Sequence, residues 1–129
     1  MSSIFSKIIA GEIPSHKIYE DERTYAFLDI YPVQPGHLLV VPKTEVDRLE
    51  DLSDEDYAAI MDTVKKLMKR VREVLGVKRA CLKVEGFDVP HAHIHIIPCN
   101  EAKDFFNHPN RNQEPDHQAL AEIARQLAL

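Results

Sequence analysis

The run Val-Pro-His-Ala-His-Ile-His-Ile-Ile-Pro, residues 89–98, has a histidine at every second position. Successive side chains of a β-strand point to opposite faces, so His91, His93 and His95 would project from one face and the apolar residues between them from the other. In a helix, two-residue steps would separate these side chains by about 200° and prevent a shared site. The prolines, the isoleucines and the short length favour a strand. We therefore predict one chemical face and one core face.

The remaining pattern predicts an α+β fold with a five-stranded, mainly antiparallel sheet. Apolar residues at three-and-four spacing follow Ser53 and end at Gly76, which predicts one long amphipathic helix. Ser3 can cap a short N-terminal helix, and a C-terminal helix is expected over residues 116–129. Strands are predicted at residues 16–20, 24–29, 37–42, 79–84 and 89–98, with a loop over 99–115. Helices and strands in this order are typical of an α+β fold.

Length and charge narrow the class of protein. The 129 residues predict a single domain, 1–129. A net charge of -5 argues against nucleic acid as a partner, because nucleic-acid-binding proteins usually present a basic face. No segment resembles a signal peptide or a membrane span, so we expect a cytoplasmic protein with no membrane partner. Cys81 and Cys99 are expected to be free thiols.

Three histidines on one strand face can be interpreted in three ways. They could converge on zinc, with His37 of another predicted strand as a further ligand. One of them could instead be a nucleophile, since a neutral imidazole nitrogen can attack an electrophile that the neighbouring groups stabilise. In the third interpretation, all three are partly buried and hydrogen-bonded to the backbone. Spacing alone leaves these alternatives open.

The segment His91-Ala-His-Ile-His-Ile-Ile resembles the signature of the histidine triad (HIT) superfamily, His-x-His-x-His followed by two apolar residues. Three further blocks are similar to family segments in the same order. Residues 3–14 resemble the N-terminal segment, residues 26–30 the strand that contacts the nucleoside, and residues 35–43 the strand with an additional histidine. The likeness extends from Ile4 to Pro98 and implies a HIT-like fold.

The resemblance also implies a function, that of a nucleotide hydrolase in the branch of nucleoside phosphoramidases and dinucleoside polyphosphate hydrolases. Such proteins act at the α-phosphate of a purine nucleotide conjugate. His93 would attack phosphorus and carry a transient nucleotidyl bond that water cleaves, while His91, His95 and His37 would orient it and stabilise the phosphate oxygens. Asp29 would bind the ribose hydroxyls. The base pocket would be walled by Ile4, Phe5, Ile8, Phe27 and Ile30. A homodimer is implied as well, with the long helix and strand 79–84 at the interface.

The chain departs from the family pattern at a metal site. Many bacterial members carry a Cys-x-x-Cys pair that binds zinc together with histidines, and here Ser3, Ser6 and Glu45 take three of those places. Two hydroxyls cannot replace two thiolates as zinc ligands, so we expect no structural zinc. No cofactor is expected either.

A second departure lies just before the histidines. The usual Gly-rich loop with Gln and Ser or Thr is replaced by the shorter Glu85-Gly-Phe-Asp-Val-Pro90. We expect Asp88 to stand beside the leaving group, where its charge would repel polyphosphates and assist an amine, so that phosphoramidates are preferred. The loss of the usual loop also leaves open a nucleotide-binding regulatory or scaffold protein with little turnover. A metalloprotein built on the same imidazoles is a third possible function.

Overall fold

A five-stranded sheet organises the fold, which is described by a computed structural model for residues 2–129. The strands are β1 (Lys17–Glu20), β2 (Thr24–Leu28), β3 (Leu38–Pro42), β4 (Arg79–Lys83) and β5 (Ile94–Cys99). The helices are α1 (Ile4–Ile9), α2 (Asp54–Leu75), α3 (Ala102–Phe106) and α4 (His117–Leu127), with a 3-10 turn at Leu49–Asp51. The strand order is β1-β2-β3-β5-β4, and every pairing is antiparallel. The α+β fold predicted from the sequence is confirmed.

Helix α2 has clear local signals at both ends. Ser53 caps it by accepting a hydrogen bond from the Asp56 N–H, and the first turn is acidic, which complements the helix dipole. Gly76 ends it with φ of 67°, a left-handed conformation that glycine adopts without strain. One face buries Ile60, Val64, Leu67 and Val71 against the sheet. Each such side chain contributes about 1.5 to 3 kcal/mol when it is removed from water.

The two faces of the sheet are covered by different helices. The first face includes Ala26, Leu28, Leu38, Val40, Ile94 and Ile96, and α2 and α4 pack on it. The opposite face carries Tyr25, Phe27, Leu39 and Val41, which pack with Phe5 and Ile8 of α1. Because successive side chains of β5 point to opposite faces of the sheet, His95 lies on the α1 face, opposite Leu39 of β3. The site is therefore built between the sheet and α1.

The predicted histidine strand is only partly a strand. His95 lies in β5, but His91 and His93 precede the first residue of β5, Ile94. Strand β3 ends at Pro42, which has no N–H to donate to a continued ladder. The Ala92 N–H donates instead to the Val46 carbonyl at 2.7 Å. This irregular segment nevertheless keeps the histidine rings together, because the His93 and His95 ring centroids are 5.1 Å apart.

Residues 99–115, for which the sequence predicts a loop, contain helix α3. Its signal is a capping box: the Glu101 side chain accepts from the backbone of the first turn, and Asp104 accepts from the Glu101 N–H. The remaining differences are a 3-10 turn that the sequence did not predict, strand ends that move by one residue, and a C-terminal helix, α4, that is shorter than 116–129 by one residue at its start and two at its end. Over residues 2–129, no helix has both the length and the apolar composition that crossing a membrane requires.

Candidate active site

Four histidines meet at the α1 face of the sheet. His37 immediately precedes β3, His95 lies in the adjacent β5, and their ring centroids are 5.1 Å apart. Phe5 of α1 packs its ring edge-to-face against His91 and His93, at centroid distances of 5.8 and 5.0 Å. The structure thus brings together all four histidines that the sequence singled out.

Hydrogen bonds to the backbone fix the tautomer of His93. Its Nδ1 lies 2.7 Å from the His91 carbonyl oxygen, which can only accept, so Nδ1 carries the proton. In the neutral ring Nε2 then keeps its lone pair. The ring is only 5% exposed, with Phe5 against it. His93 is therefore a fixed imidazole with one basic nitrogen available for chemistry.

A second chain of hydrogen bonds fixes His37 and His95. The Val33 N–H donates to His37 Nδ1 at 3.1 Å, so the proton of the neutral His37 ring lies on Nε2. That nitrogen is 2.9 Å from His95 Nδ1, which must accept, leaving the His95 proton on Nε2. His95 thus provides an N–H donor, and the ring of His93, whose centroid is 5.1 Å away, provides a lone pair.

The same environment keeps three of the rings neutral. Burial lowers the pKa of His95 to about 3, helped by the neighbouring His37, His93 and Lys83. Burial also lowers the pKa of His37, although Asp29 opposes the shift, and burial lowers the pKa of His91 against the pull of Glu45. Neutral rings are what the tautomer assignment requires.

His91 joins the site to the start of α1. Its Nε2 donates to the Pro42 carbonyl at 2.8 Å, so Nδ1 accepts from the Ser3 hydroxyl at 2.7 Å. Ser3 also caps α1, accepting from the Ser6 N–H at 3.0 Å. Glu45 accepts from the Ser3 N–H at 2.6 Å and from the Ser6 hydroxyl at 2.7 Å. These residues form a complete hydrogen-bond network, and two hydroxyls, one carboxylate and one imidazole do not fit a structural zinc site.

Only some of the residues predicted to contact the nucleotide lie on the same side of the sheet as the histidines. Phe5, Ile8 and Phe27 share one buried cluster on the α1 face, whereas Ile4 is 47% exposed. Ile30 is 38% exposed and borders a separate cavity of about 280 Å³ on the side of α4. Asp29 is half-buried, accepts from the Tyr31 N–H at 2.9 Å, and has a carboxylate oxygen 3.8 Å from His37 Nε2. The structure thus brings Asp29 and three of the five apolar residues to the histidine side.

The turn before the histidines carries two carboxylates, Asp88 and Glu85, in different surroundings. Asp88 is 72% exposed on its side chain and faces Arg111 at 3.9 Å, outside the histidine cluster. The carboxylate that does lie there is Glu85, because one of its oxygens and one ring nitrogen each of His93 and His95 lie within 4.8 Å of one another. Lys83 was also missed, although it is the β4 residue directly opposite His95. Strand pairing carries this information, and the linear sequence does not.

Two groups of side chains in the described part of the chain could hold a metal ion. One comprises Asp29, His37 and His95, and the other Glu85, His93 and His95, each with ligand atoms within 4.8 Å of one another. Both groups draw on rings that the hydrogen bonds described above already orient. The expectation of no bound metal remains a prediction, and metal analysis of the purified protein would test it.

Comparison with known proteins adds an independent observation. The HIT domain family matches residues 10–102. The chain belongs to the HIT domain family. Adenosine 5'-monophosphoramidase of Saccharomyces cerevisiae is 36% identical over 125 residues, covering 96% of this chain and 79% of that relative. The asymmetrical bis(5'-nucleosyl)-tetraphosphatase of Schizosaccharomyces pombe is 32% identical over 103 residues, covering 76% of this chain and 55% of that protein.

The fold of the HIT protein also has a close match among solved structures. The crystal structure of a Hit-like protein from Bartonella henselae has a TM-score of 0.84 and 31% identity, covering 98% of this chain and 94% of the other. The resemblance inferred from the histidine run is therefore confirmed at the level of family and fold. The two relatives above are named as two kinds of nucleotide hydrolase.

Proposed function

We propose that this HIT protein is a nucleotide hydrolase of the phosphoramidase type, acting at the α-phosphate with His93 as nucleophile. The observation that carries the proposal is the 2.7 Å hydrogen bond from His93 Nδ1 to the His91 carbonyl, which leaves Nε2 with a free lone pair. The name of the S. cerevisiae relative supports a phosphoramidase, and that of the S. pombe relative supports a dinucleoside polyphosphate hydrolase as the neighbouring activity.

In the first step, the lone pair of His93 Nε2 attacks phosphorus. The bond to the leaving group breaks, its electron pair goes to the leaving nitrogen, and that nitrogen takes a proton from solvent. The His91 carbonyl stabilises the positive charge that develops on the ring, because it already accepts the Nδ1 proton. The His95 Nε2–H donates to a phosphate oxygen, and His37 holds His95 in the required tautomer.

In the second step, water attacks the same phosphorus. The bond to Nε2 breaks, its electron pair returns to the imidazole, and the water proton passes to solvent, so that His93 is neutral again. No metal or cofactor takes part in either step. In this proposal Asp29 accepts from the ribose hydroxyls, and the cluster of Phe5, Ile8 and Phe27 contacts the base. Ile4 would border the pocket from a more exposed position, whereas Ile30 borders the separate cavity beside α4.

A homodimer and a cytoplasmic location are part of the proposal. Strand β4 is an edge of the sheet, so its outer backbone groups are free to pair with another strand. Leu82 and the following Val84 are exposed large hydrophobic residues at this edge. Pairing of β4 with β4 of a second copy would cover them. Light scattering of the purified protein should give about twice the mass of one chain, and a monomer at micromolar concentration would contradict this part.

Hydrolysis by variants with single substitutions tests the proposed function. His93→Asn should abolish hydrolysis of adenosine 5'-phosphoramidate and leave AMP affinity within about tenfold, because a nucleophile contributes chiefly to the transition state. His16→Asn is the matched control, since His16 pairs with His117 away from the cluster. Equal turnover by native protein and His93→Asn would place the nucleophile elsewhere. Nucleotide binding without turnover in the native protein would favour the regulatory or scaffold function instead.

A further inference from the structure

The carboxylate of Glu85 lies close to the two histidines that a phosphate has to approach. A reacting phosphorus has to approach His93 Nε2 to about 3 to 3.5 Å, and its oxygens have to reach the His95 donor. A Glu85 oxygen already lies within 4.8 Å of a ring nitrogen of each of these two histidines. Any phosphate bound for attack is therefore a close neighbour of this carboxylate.

Besides Asp29, whose carboxylate lies beside His37 and His95, the charges near this region come from β4 and the turn that follows it. Lys83 lies directly opposite His95 in the strand pairing and supplies a cation two residues before Glu85. Asp88 and Arg111 face each other at 3.9 Å on the exposed surface, which places their charges outside the group of ligand atoms. The nearest formal negative charge to the nucleophile among these turn residues is therefore that of Glu85.

We propose that Glu85 is a specificity-determining residue that selects substrates by the charge of their leaving group. It disfavours polyphosphate leaving groups and favours nucleotide conjugates whose leaving group is a neutral or cationic amine. This inference rests on the proposed function and names its substrate class. The physical reason is that each additional negative charge on the substrate is repelled by the same carboxylate, which is half-buried, so that water screens the charges less than it does on an open surface.

The selection should be visible in binding as well as in turnover. A conjugate with an amine leaving group brings one phosphate charge to the site, whereas diadenosine tetraphosphate brings several. Removing the Glu85 charge should therefore improve binding and turnover of diadenosine tetraphosphate far more than those of the amine conjugate. Adenosine, which has no phosphate, should not respond.

The experiment compares native protein with Glu85→Gln, which removes the charge and keeps the shape of the side chain. Calorimetry with AMP and with adenosine gives affinities that do not depend on turnover. We expect AMP to bind about tenfold more tightly to the variant and adenosine to bind equally within about twofold. The ratio of kcat/KM for diadenosine tetraphosphate to that for adenosine 5'-phosphoramidate should rise at least about tenfold.

Two variants with the same change of net charge serve as comparisons. Glu73→Gln alters an exposed residue of α2, on the other face of the sheet. It should change neither the ratio of AMP affinity to adenosine affinity nor the ratio of the two kcat/KM values. Asp88→Asn alters the carboxylate that the sequence first indicated, and a shift with this variant equal to that with Glu85→Gln would overturn the inference. Lys83→Gln removes a positive charge and should lower both the affinity ratio and the kcat/KM ratio. If Glu85→Gln folds poorly, as judged by its melting temperature, the same measurements on Glu85→Ala decide.

The outcomes separate this inference from the proposed function. Unchanged AMP affinity and an unchanged kcat/KM ratio in Glu85→Gln, with native turnover intact, would overturn only the role of Glu85. Absence of hydrolysis together with tighter AMP binding by the variant would keep the electrostatic role and overturn the enzyme. No binding of AMP or adenosine to any variant would overturn both.

Discussion

Replacing Ser3 by alanine tests whether the start of α1 and His91 form one unit. The Ser3 hydroxyl makes two interactions, accepting from the Ser6 N–H at 3.0 Å as helix cap and donating to the buried His91 Nδ1 at 2.7 Å. Loss of the cap costs about 1 kcal/mol. An unsatisfied buried acceptor costs about 1 to 3 kcal/mol more. Ser3→Ala should therefore lower the free energy of unfolding by about 2 to 4 kcal/mol.

Thermal and denaturant unfolding measure this loss. With an unfolding entropy of about 2.1 cal/mol/K per residue, a chain of this length loses about 4 °C in Tm for each kcal/mol, so we expect a decrease of about 7 to 15 °C. Ser6→Ala is the matched control, because the Ser6 hydroxyl donates to Glu45 in an exposed position and caps nothing. It should cost less than about 1 kcal/mol. Equal losses in the two variants, or a loss below 1 kcal/mol for Ser3→Ala, would refute the reasoning.

Two further predictions concern acid stability and the ribose site. The folded-state pKa of His95 is about 3, below its unfolded value near 6.5, so the unfolded chain binds more protons and stability falls as the pH drops below about 6.5. Lowering the pH from 7.5 to 5.5 should reduce the free energy of unfolding by about 1.4 kcal/mol through His95 alone, and His37 and His91 add to the loss. Urea unfolding of native protein and of His95→Gln at the two pH values would measure this. Stability that is unchanged or higher at pH 5.5 would contradict the neutral rings. Asp29→Asn should raise KM for adenosine 5'-phosphoramidate about tenfold and affect the 2'-deoxy analogue less, because a carboxylate accepts from ribose hydroxyls more strongly than an amide. Equal effects on both substrates would remove Asp29 from the ribose site.

Much of the fold could be predicted because its signals are local. Ser53, Gly76 and the apolar stripe between them define α2 without reference to the rest of the chain. The order of the elements and their connections then leave few arrangements of the sheet. The start of β5 could not be predicted locally, since it depends on Pro42 of a strand that is distant in sequence.

The site was predictable in its residue types but less so in its geometry. The alternation of His91, His93 and His95 correctly indicated one shared side, even though two of them lie outside the strand. The sequence indicated Asp88 but not Glu85, because which carboxylate lies beside His93 and His95 depends on how a six-residue turn leaves β4. Tautomers depend on backbone partners such as the Val33 N–H and the His91 carbonyl, which only the folded chain brings into contact.

The central claim is that His93 forms a covalent bond to the nucleotide, and direct detection of that bond tests it most sharply. Native protein would be mixed with excess adenosine 5'-phosphoramidate, quenched within the first turnovers under conditions that preserve phosphorus–nitrogen bonds, and digested for mass spectrometry. We predict an adenylyl group on the peptide that contains residues 91–95, with fragment ions that assign it to His93, and no such mass in His93→Asn. An adduct on another residue, or full turnover of native protein with single-turnover kinetics that exclude any adduct, would contradict the account.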